Sequence, residues 1–198
     1  GDTIIMRTSV TENVTIDKNL NIISWGATLR GSTILTKITG KITVSASSLR
    51  VNFNSIEFET NSDNCFLLSG TSSAITTQNC SFRATNGNII SGTGTSSNFY
   101  MENCTGTFAS TFTLYICTNT VIWINNCNYY DATTPGTSTT QQPAYINSSW
   151  INFPLSASSS GNIQVTYTKF GLIFQAYTDV TYITLSGTSG SSLLHCEI

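Results

Sequence analysis

An Asn-Cys pair returns at Asn79-Cys80, Asn103-Cys104 and Asn126-Cys127, every 23 or 24 residues. A period of that length restricts the chain more than any other feature. It is the mark of one supersecondary unit repeated and stacked on itself. The rival explanations are a metal site, a disulfide framework and a run of glycosylation sequons. No CxxC occurs and there is one His, so zinc-type spacing is absent. At 198 residues the chain is long enough to bury a core without staples. Sequons at Asn13, Asn79, Asn103 and Asn147 follow from a composition rich in Asn, Ser and Thr.

The repeat extends beyond the Asn-Cys pairs. With the residue after the corner Asn as anchor, the anchors are Ile56, Cys80, Cys104, Cys127, Ile151, Thr168 and Cys196. Five residues before them stand Val51, Ile75, Phe99, Ile122, Ile146, Ile163 and Ser191. Three before stand Phe53, Thr77, Met101, Ile124, Ser148, Val165 and Leu193. Two after stand Phe58, Phe82, Gly106, Tyr129, Phe153, Phe170 and Ile198. These columns are mostly apolar. The interleaved ones, Asn52, Thr76, Asn147 and Gln164 before the anchor and Glu57, Ser81, Thr105, Asn128 and Lys169 after it, are polar except for Tyr100 and Trp123.

Alternation of two predicts strands. The step of three between the second apolar column and the anchor predicts a corner, and Asn tolerates the left-handed backbone that a corner needs. Cys is then the first side chain pointing back inside. A second motif, Ser-Gly-Thr, joins apolar segments at 67–75, 89–99 and 184–194 and predicts another turn. Each period therefore holds about three short strands and three turns. The predicted fold is all-β: a single-stranded parallel β-helix of about eight rungs of 22–25 residues. One domain, 1–198, is expected, with less regular rungs over 1–48 and regular ones over 49–198. The chain opens on Gly1-Asp2, ends in mid-pattern, and reads as a piece of something longer.

Composition agrees. Charged residues are 9% of the chain, against roughly 25% in an ordinary domain. Net charge is −2 with no basic run, so nothing points to nucleic acid or an anionic membrane surface as partner. No apolar run is long enough to span a bilayer as a helix. No cofactor and no metal site are expected.

The alternation over 12–29, with Val14, Ile16, Leu20 and Ile22, and the rungs built on Asn-Cys-x-aromatic resemble right-handed parallel β-helix proteins of the pectate-lyase-like group. The closest likeness is to the β-helix modules of phage tailspikes and tail fibres. That resemblance implies a right-handed solenoid. It also implies a structural and adhesive virion module, usually a homotrimer, that contributes to attachment to host-surface glycan. The alternative it implies is a polysaccharide lyase or glycoside hydrolase with a surface or inter-subunit site. Either would work on the virion or outside the cell.

Such enzymes need clustered carboxylates. Glu57 and Glu59 lie one alternation apart, and Glu102 lies two rungs on; no motif of catalytic Asp is visible, so these three are weak candidates and the chain reads as a non-enzyme. His195 stands alone. Cys80, Cys104, Cys127 and Cys196 form one inward column and read as a packed thiol file; in-register parallel side chains oppose disulfide geometry. Tyr100 and Trp123 are outward on adjacent rungs, Trp150 and Tyr167 fall at the corner column, and Tyr130 and Tyr145 flank the long insert 131–143. Exposed aromatics along a rod suit a subunit interface or sugar rings.

Overall fold

A computed structural model describes residues 1–28, 35–60, 64–84, 87–108, 112–130, 138–151, 155–158, 162–170, 183–186 and 191–194. The side chains of 27, 28, 84, 108, 112, 130, 158, 169, 170, 183–186 and 193 lie outside that description. The chain is a parallel β-solenoid with three sheets of nine, eight and eight strands among the described residues. The first sheet holds Asp2–Met6, Leu20–Ser24, Arg50–Asn54, Ala74–Gln78, Ser97–Glu102, Thr120–Asn125, Ala144–Asn147, Ile163–Thr166 and Ser192–Leu194, in chain order. The second runs from Val10–Thr11 to Lys169–Phe170, and the third from Val14–Ile16 to Ile183–Ser186. Every ladder is parallel, and each strand pairs with the equivalent strand one coil on.

Stacking puts like on like. Val51, Ile75, Phe99 and Ile122 are in register in the first sheet, as are Phe53, Thr77, Met101 and Ile124. All eight are buried. Part of the core is an aromatic cluster. Phe58 and Phe82 stack on successive coils with centroids 5.3 Å apart, and Phe66 meets Phe53, Phe58 and Phe99 at 4.9–5.4 Å in tilted or edge contacts. Burying each such ring contributes about 1.5–3 kcal/mol.

The corners explain the Asn-Cys pair. Ser55, Asn79, Asn103, Asn126, Ser148 and Tyr167 have φ between 48° and 57°. Their amides donate to the carbonyl of the next coil, for example Asn79 N to Glu102 O at 3.0 Å. The residue after each corner points inward, and from Asn79 onward its side chain closes the corner with a hydrogen bond. Cys104 Sγ donates to Glu102 O (3.3 Å) and Cys127 Sγ to Asn125 O (3.2 Å); Ser149 Oγ and Thr168 Oγ1 do the same to Asn147 O and Thr166 O. The same atoms accept from the coil before, Cys104 N to Cys127 Sγ at 3.4 Å and Cys127 N to Ser149 Oγ at 3.1 Å. The thiols therefore do the work of hydroxyls, as weak donors of the right size.

A second corner repeats the device. Ser48, Ser72 and Ser96 are left-handed, and the inward residues after the last two are Ser73 and Ser97. Ser97 Oγ accepts from Ser73 N (3.1 Å) and donates to Gly70 O (2.6 Å); Ser73 Oγ accepts from Leu49 N and donates to Ala46 O (2.8 Å). Such approach requires glycine in the Ser-Gly-Thr turns. A Cβ on Gly70 would fall on Ala46 O, and one on Gly94 would fall on Gly70 O.

Two expectations need correction. The anchor of the seventh coil is Ser149, not Ile151: Asn128 pairs with Trp150 and Cys127 N bonds to Ser149 Oγ. The corner is Ser148, so Trp150 is not at the corner but begins the strand after it. Ile146 then falls two positions later in the pattern, in register with Ile124, and Ala144 takes the place opposite Ile122. The second correction concerns the insert 131–143. Residues 131–137 lie outside the described residues, but Ser138–Thr140 is a strand of the third sheet rather than loop. Its inward side chains, Ser138 and Thr140, are buried hydroxyls, and Ser138 Oγ accepts from Leu114 N at 2.9 Å.

Candidate functional site

The outer face of the first sheet carries two parallel columns of outward side chains, set by the two-residue alternation. One column, in register from coil to coil, reads Thr3, Asn21, Asn52, Thr76, Tyr100, Trp123, Tyr145, Gln164, Ser192. Its three aromatics form a stack along the solenoid axis. Tyr100 and Trp123 have centroids 6.0 Å apart at 17°, and Trp123 and Tyr145 are 4.0 Å apart at 20°. Trp123 is 38% exposed, and its two neighbours are half-buried.

The other column reads Ile23, Asn54, Gln78, Glu102, Asn125, Asn147, Thr166. Side-chain bonds tie it together: Gln78 Nε2 donates to Glu102 Oε2 at 2.8 Å, and Asn147 Nδ2 to Asn125 Oδ1 at 2.9 Å. Between the columns runs a trough of about 590 Å³ walled by Tyr100, Trp123 and Tyr145 on one side and Glu102, Asn125 and Asn147 on the other. Met101 and Ile124 turn their side chains into the core, so strand backbone floors it. A second trough of about 390 Å³ continues over Thr3, Asn21, Asn52, Asn54 and Gln78, and Thr76 lines both. Glu102 is the single charged residue among those lining the two troughs.

Tyr145 joins the aromatic column rather than flanking a separate loop, because the corner is at Ser148. The amide column was missed from the sequence. Its signal is the residue two before each anchor: Asn54, Gln78, Glu102 and Asn125 all carry a side-chain carbonyl.

The three carboxylates do not form one cluster. Glu102 is on the first sheet. Glu57 and Glu59 are past the corner, on the second, in register with Ser81 and Arg83. Lys37 Nζ donates to Glu59 at 2.6 Å, which holds the Glu59 carboxyl below its usual pKa, with Arg83 and Thr39 adding to the effect.

Tyr167 is 61% exposed at its corner. Trp150 is half-buried on the second sheet, in register with Lys169. Tyr130 ends a second-sheet strand opposite Thr107; its side chain lies outside the described residues, as do Cys196 and His195 altogether. Cys80, Cys104 and Cys127 are free thiols, buried in one file. Cys104 and then burial hold the proton on Cys127; burial, then Cys104, hold it on Cys80. Away from this file, burial pushes the thiols of Cys65 and Cys117 up to about 12. Such thiols are poor nucleophiles. Among the described residues no group of three or more His, Cys, Asp or Glu is placed to hold a metal ion, and no helix is long and apolar enough to cross a membrane.

A scan against protein-family models, a search of curated proteins and a search of solved structures each found no match to this chain.

Proposed function

We propose that this chain is a structural and adhesive module of the tailspike or tail-fibre kind, which contributes to attachment to host-surface glycan. The observation that carries the reading is the pair of columns on the first sheet: stacked aromatics face a row of amides across a continuous trough. Carbohydrates ask for that mixture, apolar ring surface beside fixed donors and acceptors. The resemblance of the rungs to pectate-lyase-like β-helices adds the expectation of a homotrimer working on a virion or outside the cell. A glycan array probed with the wild-type chain and with Tyr100→Ala tests the reading. Binding to host-type polysaccharide that Tyr100→Ala weakens is expected; a blank array sinks it. Light scattering should give three times the chain mass.

One feature favours the alternative of a polysaccharide lyase or hydrolase. Glu102 lies in the trough, where a carboxylate could act on a bound sugar. Retaining and inverting hydrolases both need a second carboxyl within about 10 Å across the scissile bond, and none lines either trough. Release of reducing ends or unsaturated product, lost in Glu102→Gln, would establish the enzyme.

A further inference from the structure

The aromatic stack has a consequence for how a sugar would bind. Tyr100, Trp123 and Tyr145 lie nearly parallel and follow one another along the axis. Trp123 is sandwiched, so both its faces are taken. The trough wall therefore shows ring edges, which carry the positive end of the quadrupole, and not the faces on which sugars stack. A face can be free only at an end of the stack. At one end Tyr100 is followed by Thr76, a small side chain one coil back. At the other, Tyr145 is followed by Gln164, a longer one that can lie across the ring.

Coils are spaced by about 4.8 Å, the separation of neighbouring strands, which lies within the range of about 4.5–7 Å at which stacked rings sit centroid to centroid. A ring laid on Tyr100 above Thr76 would thus be the next member of the stack. From there the chain of sugars would continue over Asn52 and Asn21, in the second trough, with Gln78 and Asn54 alongside. Those side chains are amides; Asn52 Nδ2 already donates to Asn21 Oδ1 at 2.7 Å, and each keeps further donor and acceptor capacity.

Charge narrows the ligand. No Lys or Arg lines either trough, and Glu102 sits beside the Tyr100 end with Gln78 as its partner. A uronic or sialic acid would meet a carboxylate and no cation.

We propose that the free face of Tyr100 above Thr76 is the primary subsite for a neutral glycan, which runs along the solenoid axis over Asn52 and Asn21. This rests on the attachment reading given above and adds the ligand's charge class, its position and its direction. Thr76→Trp would extend the stack and fill the subsite. Gln164→Trp would extend it at the other end and leave the subsite open. Both positions are outward in the same column, so the second variant controls for the first.

The test is an array of neutral hexose, deoxyhexose and N-acetylhexosamine oligosaccharides beside uronic-acid and sialic-acid ones, read with wild type and both variants at low salt. Circular dichroism confirms that each variant folds. Neutral glycans should bind, at least tenfold weaker to Thr76→Trp and unchanged to Gln164→Trp. Glu102→Gln should strengthen binding of the acidic counterparts about fivefold, the value of removing one repulsion of about 1 kcal/mol at 4 Å in water. Glycan binding that prefers acidic sugars, or that folded Thr76→Trp leaves intact, overturns the subsite and spares the attachment reading. No binding to any class overturns both.

Discussion

Replacing Ser97 by Ala removes the hydroxyl that closes one inner corner. Two groups lose their partner at once. Ser73 N–H donates to Ser97 Oγ at 3.1 Å, and Gly70 O accepts from it at 2.6 Å. Ser97 is fully buried, so water cannot step in. Each buried group left unpaired costs about 1–3 kcal/mol. A carbonyl has a second lone pair, so the lower half of the range suits Gly70 and the total is about 2–5 kcal/mol. With a urea slope of about 2 kcal/mol per molar, the unfolding midpoint should drop by about 1–2.5 M. Ser97→Cys is the informative companion. Cys104 and Cys127 make the equivalent bonds at the other corner, at 3.2–3.4 Å. A thiol at 97 should recover about half of the loss, since it restores a weaker donor and acceptor. Urea denaturation followed by far-ultraviolet circular dichroism reads all three proteins. If Ser97→Ala unfolds within about 0.5 kcal/mol of wild type, the typical effect of a surface change, or if Ser97→Cys is no better than Ala, the hydroxyl file is not what closes the coil.

Three other outcomes follow from the same geometry. Asn103, at φ 52°, should accept Gly with little change, whereas Asn103→Val should cost about 1–2 kcal/mol for the left-handed backbone, measured by the same urea titration. Gly94→Ala should destabilise by about 1–3 kcal/mol or more, because its Cβ has no space beside Gly70 O and the clash is with backbone. Stability should also fall at high pH: the unfolded chain gives up the protons of Cys65 and Cys117 near pH 9, while burial holds them in the fold up to about 12, so melting temperature drops as pH rises through that window. A Cys117→Ala variant should show a shallower drop; an equal slope would count against buried thiols as the cause.

The solenoid was legible because its period is written in apolar residues. Val51, Ile75, Phe99 and Ile122 mark one column, and Asn79, Asn103 and Asn126 mark the corner, without help from the coordinates. The reading slipped where polar residues do the inward work. Ser149 and Thr168 close their corners by the same bonds as Cys104 and Cys127, yet a search for apolar anchors passes over Ser149 and settles on Ile151. That error of two residues moved Trp150 to the corner and hid Tyr145 from the aromatic column. Ser138–Thr140 reads as loop in the sequence for the same reason: its buried face is hydroxyl. The hydroxyls of Ser73, Ser97 and Ser138 each have a backbone partner one coil away, so the penalty that normally keeps polar groups out of a core is lifted there. The trough was only half visible. Its aromatic wall was found as outward exceptions, while its amide wall looked like ordinary surface and is distinguished by register alone.

The fold depends on in-register coils, and a distance along the axis measures that register. Asn52 and Gln164 face outward in one column with Thr76, Tyr100, Trp123 and Tyr145 between them. Five steps of about 4.8 Å place them roughly 24 Å apart. Spin labels carried there on non-cysteine residues, read by pulsed electron resonance, should give one narrow distribution near that value after allowance for the label arms. A broad distribution, or a peak displaced by more than two coils, about 10 Å, would contradict the stacking and everything built on it.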